Sequence, residues 1–347
     1  MPHPWLFHVD MDMFLAAVEI LRRPELAGLP VVVGGRGDPT ERGVVSTASY
    51  EAREFGVRSG MPLRTALKRC PEAVFLPVDF PTYEAASAKV MAALRAHPGA
   101  RVEVLGWDEA FVEVATDDPI AEAHALRGAV LAASDLHCSV GIGDTLVRAK
   151  MATDLGKPRG VSMLRADNWF DVFGDRPTQA LWGVGPKFSA RLAGLGLETV
   201  RSLAAADVDA LVAEFGPAAG HHLAQLARGE GRRTVDESEW VARAHGHETT
   251  FQTDLTDRTA VLGALTSLAE QVIGDLEREG RACQRVFLKV RFAPFFTVNR
   301  SRKLPEPTLS AARVAEVATA LYDALDDDRP VRLLGIRGEM VPPEGGY

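Results

Sequence analysis

Apolar residues in the opening stretch LFHVDMDMFLAAVEI run first as a strand-like block and then at helical spacing, so a strand is predicted to pass into a helix. Asp10 and Asp12 then fall at or near the strand's C-terminal end, where ligands of α/β sheets commonly sit. A second apolar block, VEVLGWDEAFVEVA, leads into the helix formers AEAHALRGAVLAA and a further strand, CSVGIGD. This β–α–β order predicts an α/β sheet domain, with Asp108 and Glu109 inside a strand or hairpin.

Between these blocks, residues 20–75 hold VVVGG, GVVSTASYEAREFGV and short helical stretches punctuated by Pro24, Pro30, Pro39, Pro62 and Pro71. They read as a small inserted subdomain outside the main sheet. From Asn168 to about Arg233 the pattern is helical with Gly-rich turns, which predicts a compact helical domain. A polar, charged stretch from about Gly231 to Ala244 reads as a linker. In the final unit strand, helix, two strands, helix and strand follow in turn, an α+β arrangement.

A chain of 347 residues, 46% hydrophobic and 25% charged, can bury a sizeable core and divides into about two to three domains. No apolar run reaches about 18 residues and the N-terminus lacks the pattern of a secretory signal, so neither a membrane span nor export is expected, and the cytoplasm is. Cys70, Cys138 and Cys283 are odd in number and widely spaced, which argues against a disulfide framework and a zinc site. The net charge of −8 argues against a broadly basic surface for phosphate binding. Residues 281–303 are a local exception, with Arg281, Arg285, Lys289, Arg291, Arg300, Arg302 and Lys303 and no Asp or Glu.

Asp10-x-Asp12 alone is a weak signal, because two acids one residue apart occur in many turns and helix caps. Asp108-Glu109 is more specific, because adjacent carboxylates among Val102, Val104, Leu105, Trp107, Ala110 and Phe111 are costly to desolvate without a cation. A solvated hairpin tip is the alternative. Phosphoryl or nucleotidyl transfer by two metals needs oxygen anions converging on ions about 3.5–4 Å apart, and carboxylates from two strands suit it. Asp10 and Asp108 would bridge both ions and Glu109 would complete the first ion's shell.

Thr47, Tyr50 and Arg53 are spaced by threes, so on a helix they form one stripe suited to triphosphate oxygens, with Ala48, Ala52 and Phe55 as the apolar face. A plain amphipathic helix has the same pattern. Lys157, in the stiff turn DLGKPRG, could project toward a phosphate or be an ordinary surface lysine. Gly183-Val184-Gly185 is similar to the helix–hairpin–helix device, whose backbone N–H groups approach a DNA phosphate; an ordinary Gly-rich turn is the alternative. QRVFLKVRFA alternates so that Arg285, Phe287, Lys289 and Arg291 share one face, and NRSRK is expected to extend that face with Arg300 and Arg302 if the two strands pair. A solvated edge is the rival reading.

Taken in order, HVDMDMFLAAVE, STASYEAREFGVRSGMPL, GWDEAFVEV, CSVGIG, GKPRG and GVGPK resemble the Y-family DNA polymerases, in particular the DNA polymerase IV (DinB) branch. The resemblance runs to RPVRLLGIRGEMV, near the C-terminus. It implies a right-hand polymerase with a palm (1–19 and 76–166), fingers (20–75), a helical thumb (167–232), a linker (233–242) and a little finger (243–341). It implies template-directed addition of nucleotides to a primer in translesion synthesis. Asp10, Asp108, Glu109 and the Met11 carbonyl would hold two Mg²⁺ ions, with Mn²⁺ as an alternative. Met13, Phe14, Leu15, Thr47, Tyr50, Arg53 and Lys157 would contact the incoming nucleotide. Gly183, Gly185 and Lys187 of the thumb would hold the primer-template DNA, with Arg285, Lys289, Arg291, Arg300 and Arg302 of the little finger.

Three positions depart from the family pattern. Leu15 stands where the family usually has a Tyr or Phe that gates against a 2′-hydroxyl, so ribonucleotides are expected as additional substrates. Gly106-Trp107 replaces the usual Ser and small aliphatic residue before the two acids. The C-terminal VPPEGGY lacks a clamp-binding peptide, which leaves sliding-clamp dependence open; a monomer is expected. The rival readings are a non-catalytic DNA-binding relative, which would lose the carboxylates, and a nucleotide cyclase, which needs no thumb or cationic C-terminal unit.

Overall fold

A computed structural model describes residues 3–347. β1 (His3–Met11) passes directly into α1 (Phe14–Arg22), followed by the short elements β2 (Val31–Val33), β3 (Thr47–Ala48), α2 (Tyr50–Glu54), α3 (Leu63–Arg69) and β4 (Val74–Leu76). Then come α4 (Phe80–Arg95), β5 (Arg101–Val104), β6 (Glu109–Thr116), α5 (Pro119–Ser134), β7 (Cys138–Gly143), α6 (Leu146–Gly156) and β8 (Val161–Leu164). The main sheet has the order β5-β6-β1-β7-β8, while β3-β2-β4 form a small sheet of their own.

β1 is the central strand, and its two faces pack differently. Phe7, Val9 and Met11 join Tyr83, Val90 and Leu94 of α4 and Leu126 and Val130 of α5 in one core. Leu6 packs on the other face with Phe111, Leu146 and Ala149, beneath α6. Each fully buried Leu or Phe here contributes on the order of 2 kcal/mol of transfer free energy. Period-two alternation in a strand covered on both sides therefore sends the even-numbered residues His8 and Asp10 toward α6.

α6 lies unusually close to the sheet because β7 offers glycines. A Cβ on Gly141 would sit 2.0 Å from the Ala149 carbonyl oxygen, and one on Gly143 would sit 2.3 Å from the Ala149 nitrogen. Helix and strand are thus in backbone contact. The same helix carries Lys150, Thr153 and Asp154 at helical spacing, and Lys157 follows as its extended C-cap residue.

α7 (Trp169–Phe173), α8 (Pro186–Gly194), α9 (Val200–Ala204), α10 (Val208–Phe215) and α11 (Pro217–Ala227) form the helical segment. Trp169, Leu192, Leu203, Leu211 and Leu223 fill its core. The stretch after α11, expected to be a free linker, is partly fastened. The Val235 backbone N–H donates to Glu113 at 2.9 Å and that of Asp236 to Glu103 at 2.8 Å, while Val235 is buried against Leu6 and Phe111. The sequence missed this because a single Val in a polar run carries no periodicity.

By contacts the chain divides into two compact units: residues to 37, 45–61 and 69–238 in one, and 38–44, 62–68 and 239–347 in the other. The second unit contains β9 (Ala244–Leu255), α12 (Arg258–Glu279), β10 (Cys283–Phe292), β11 (Phe296–Thr308), α13 (Ala311–Asp323) and β12 (Val331–Met340), in the predicted order. Its antiparallel sheet, β11-β10-β12-β9, is covered on one face by α12 and α13 through Val286, Leu288, Val290, Val272, Leu276 and Val314. All three cysteines are free and buried. No helix among the described residues is long and apolar enough to cross a membrane.

Candidate active site

Antiparallel pairing of β1 with β6 sets Asp10 directly opposite Glu109, and His8 opposite Phe111. Directly opposed residues share a face, so two acids far apart in sequence meet on the α6 side of the sheet. Asp108 precedes Glu109 on the hairpin turn, and its carbonyl accepts the Met11 N–H at 2.8 Å. His8, Asp10 and Glu109 place their ligand atoms close enough together to hold a metal ion.

Two lysines, Lys150 on α6 and Lys157 at its C-terminal cap, stand against these acids. Lys157 Nζ is 2.9 Å from Asp10 and 3.1 Å from Asp154. Lys150 forms an ion pair with Glu109 and lies 3.2 Å from His8 Nε2. His8 itself is fully buried, with Nε2 3.1 Å from Glu109 and Nδ1 2.8 Å from Thr153 Oγ1.

These neighbours divide the three carboxyl groups. Burial raises Asp10 above the usual carboxylate range despite Lys157. Asp108 is open to solvent on one side, but desolvation on the other and then the charge of Glu109 push it up as well. Glu109 is held down to about 2, because His8 and Lys150 outweigh the cost of its burial. Burial lowers His8 below the usual imidazole range. Asp10 and Asp108, two carboxyl groups that resist charging in the absence of a cation, stand beside a charged Glu109, which fits a site built for hard divalent ions.

Asp12, the second acid of the motif, has a different place. It is buried and accepts hydrogen bonds from the Tyr50 hydroxyl (2.8 Å), the Ser139 hydroxyl (2.9 Å) and the Arg159 N–H (2.9 Å). It therefore ties β1 to α2, β7 and the loop after α6.

Thr47, Tyr50 and Arg53 do not lie on one helix as expected. Thr47 belongs to β3, Ser49 caps α2 through the Ala52 N–H, and the helix begins only at Tyr50. Serine's preference for the cap position ends the helical register there. Tyr50 and Arg53 do sit one turn apart, with the guanidinium 5.0 Å from the ring centroid. Ala48 and Ala52 are buried as predicted, but Phe55, past the helix end, is exposed.

Met13 caps α1 with φ 44°, Phe14 is buried, and Leu15 packs half-buried against the main core on the first turn. Trp107, on the turn beside Asp108, is exposed and meets Phe80 edge-on at 5.7 Å. His8, Lys150 and Thr153 are not singled out by the sequence; the spacing of seven between Lys150 and Lys157 at the end of a helical pattern was the available signal for the first lysine.

The impB/mucB/samB family matches residues 9–154, and that family's C-terminal domain matches residues 242–346. The DNA polymerase IV 2 of Mycobacterium tuberculosis (strain ATCC 25618 / H37Rv) is 49% identical over 341 residues, covering 97% of this chain and 98% of the relative. The chain belongs to the Y-family of DNA polymerases, in the DNA polymerase IV branch. A solved Dbh–Dpo4–Dbh chimera of a Y-family DNA polymerase superposes with a TM-score of 0.85 at 26% identity, over 96% of this chain and 98% of that one. An insertion ternary complex of Dbh DNA polymerase gives 0.64 at 25% identity, over 97% and 99%. The protein is a DNA-directed DNA polymerase.

In this Y-family polymerase the residues expected at DNA occupy several surfaces. Gly183 has φ +81°, Gly185 caps α8, and Lys187 is exposed on the first turn of that helix. On the sheet of the second unit, Arg285, Lys289 and Arg291 point to the open face with Phe287, over which Arg337 stacks at 4.1 Å. Arg300 and Arg302 do not extend that face. β10 and β11 pair as expected, but the register sets Arg300 opposite Leu288 and Arg302 opposite Val286, whose side chains point to the helix-covered side. A one-residue difference in register reverses every side chain. The residues beside the open-face cations are instead Thr297, Asn299, Ser301 and Lys303.

Proposed function

We propose that this polymerase joins nucleotides to a primer 3′-hydroxyl by two-metal catalysis at Asp10, Asp108 and Glu109, with the Met11 carbonyl as a further ligand. The observation that carries this reading is the cross-strand pair Asp10–Glu109 with Asp108 beside it, flanked by two lysines. Two divalent cations, Mg²⁺ with Mn²⁺ as an alternative, would supply acidification of the primer hydroxyl and neutralisation of the triphosphate. Asp108, open on one side, presents its carboxylate to that space, and Asp10 shares it. Lys157, with Asp154 as a second partner, is able to leave Asp10 for a phosphate oxygen. Asp12 holds the Tyr50 hydroxyl, and Tyr50 supports Arg53, which keeps α2 and Thr47 at the triphosphate. Met13, Phe14 and Leu15 lie beneath the incoming sugar.

In this reading the main sheet is the palm, the small sheet belongs to the fingers, α7–α11 form the thumb and the second unit is the little finger. Primer-template DNA lies on the Gly183–Gly185 turn and on the open sheet face; the neighbouring ternary complex of Dbh supports DNA as a partner. Translesion synthesis in the cytoplasm rests on the family relationship. Ribonucleotide use rests on Leu15, which is smaller than the aromatic gate. Gel-based primer extension by wild type and Asp108→Ala, with and without chelator, tests the catalytic reading: extension that survives both the substitution and the chelator defeats it.

A further inference from the structure

Lys150 differs from Lys157 in its surroundings. Lys157 is shared between Asp10 and Asp154, so it keeps an acid partner when it leaves Asp10. Among the described residues Glu109 is the one carboxylate paired with Lys150. Its other neighbours are His8 Nε2 at 3.2 Å and the indole of Trp182, whose ring centroid is 5.3 Å from Nζ. Trp182 is 43% exposed and precedes Gly183 at the turn leading into α8. At that distance the contact is at the outer part of a range that ends near about 6 Å, so the ammonium has room to move closer to the ring.

We propose that Lys150 is the resident counter-cation of Glu109, and that Trp182 is a positioning residue offering the seat to which Lys150 withdraws when a divalent cation takes that carboxylate. The inference rests on the two-metal reading and adds a link between the α8 turn and the metal site. The chemistry is a competition between two cations for one carboxylate oxygen, because an ammonium and a hard metal ion cannot both keep full contact with it. The ring lowers the cost of Lys150's departure by accepting the ammonium against its face, where open water is less available to a side chain only 16% exposed. A change in the position of the turn before α8 therefore alters how readily the metal site fills.

The test is Mn²⁺ titration of the full chain without DNA, with free ion followed by electron paramagnetic resonance. Lys150→Met removes the competitor and tightens Mn²⁺ binding by about tenfold. Trp182→Leu removes the fallback seat and weakens it by about two- to fivefold, the scale of a part-exposed cation–π contact, while Trp182→Phe stays near wild type. In the Lys150→Met background Trp182→Leu has no effect, a dependence that a merely structural role of the indole would not show. Unchanged or weaker binding in Lys150→Met overturns the proposal, as does an effect of Trp182→Leu that persists without Lys150. Asp108→Asn separates the two levels: if it leaves Mn²⁺ binding intact, the two-metal reading fails, whereas its loss with no response to Lys150→Met defeats only the competition. Lys150→Gln repeats the measurement should the Met variant fold poorly.

Discussion

Asp10 and Glu109 face each other across the β1–β6 ladder, yet their carboxyl groups are pushed in opposite directions, Asp10 up by burial and Glu109 down to about 2 by His8 and Lys150. A depressed carboxyl group stabilises the fold above its unfolded value and loses that contribution as pH falls through the folded one. Glu109 therefore contributes stability fully present above its ordinary 4.5 and lost toward pH 2. In chelator, thermal melting of Glu109→Gln should show a flatter acid limb than wild type across that window. Equal slopes would mean that Glu109 is not held by its neighbours.

Asp108 has the opposite sign. Its carboxyl is raised by desolvation and then by Glu109, so its charge costs the metal-free fold some stability at neutral pH. Asp108→Asn is expected to raise the melting temperature in chelator by about a degree or two while removing primer extension. A variant that melts lower and still extends primers would contradict both halves.

Gly141 fixes α6 against the sheet. A methyl there meets the Ala149 carbonyl oxygen at 2.0 Å, which no rotamer relieves because the Cβ position is fixed by the backbone and the oxygen is itself a backbone atom. Gly141→Ala should cost about 3 kcal/mol in urea unfolding and shift Lys150, Thr153 and Lys157 together, lowering extension even at temperatures where the fold survives. Stability within about 0.5 kcal/mol of wild type would show that the helix can slide outward freely.

Much of this was legible in the chain. Strands covered on both faces read as apolar blocks, and the second unit's alternation of two periods gave its order of elements directly. Asp108 and Glu109 stood out because charge among apolar neighbours demands a reason. What was hidden depends on three-dimensional register. Ser49 looks like any polar residue until its side chain caps α2 and excludes Thr47 from the helix. His8 looks like a core residue of β1, and only pairing with β6 and α6 brings it to Glu109 and Thr153. Arg300 and Arg302 alternate correctly, but alternation cannot say which of two faces a paired strand presents.

Leu15 sits half-buried on the first turn of α1, where it packs against the main core. If it lies beneath the incoming sugar, Leu15→Tyr should restore discrimination against ribonucleotides without loss of deoxynucleotide addition. The measurement is extension with each nucleotide class alone, expressed as a ratio of kcat/KM. A steric clash of one hydroxyl with a ring is expected to change that ratio by about 100-fold or more. Wild type that rejects ribonucleotides as strongly as the Tyr variant would reduce Leu15 to a packing residue.

The open sheet face of the second unit contains a hollow of about 580 Å³ bordered by Gly246, Glu248, Phe287, Lys289, Gly335 and Arg337. Its cations are not all free, since Lys289 pairs with Glu248 at 2.6 Å and Arg285 approaches Glu339 at 3.6 Å. If DNA phosphates lie here, Lys289→Ala and Arg291→Ala should each reduce the slope of log affinity against log salt by about one. Glu248→Gln should act in the other direction, because it releases Lys289 for phosphate. Arg302→Ala leaves the slope unchanged, since Arg302 points to the helix-covered side of the sheet. Fluorescence anisotropy of a labelled primer-template over a salt series measures all four, and a slope that responds to Arg302 but not to Lys289 would move the DNA to the other face.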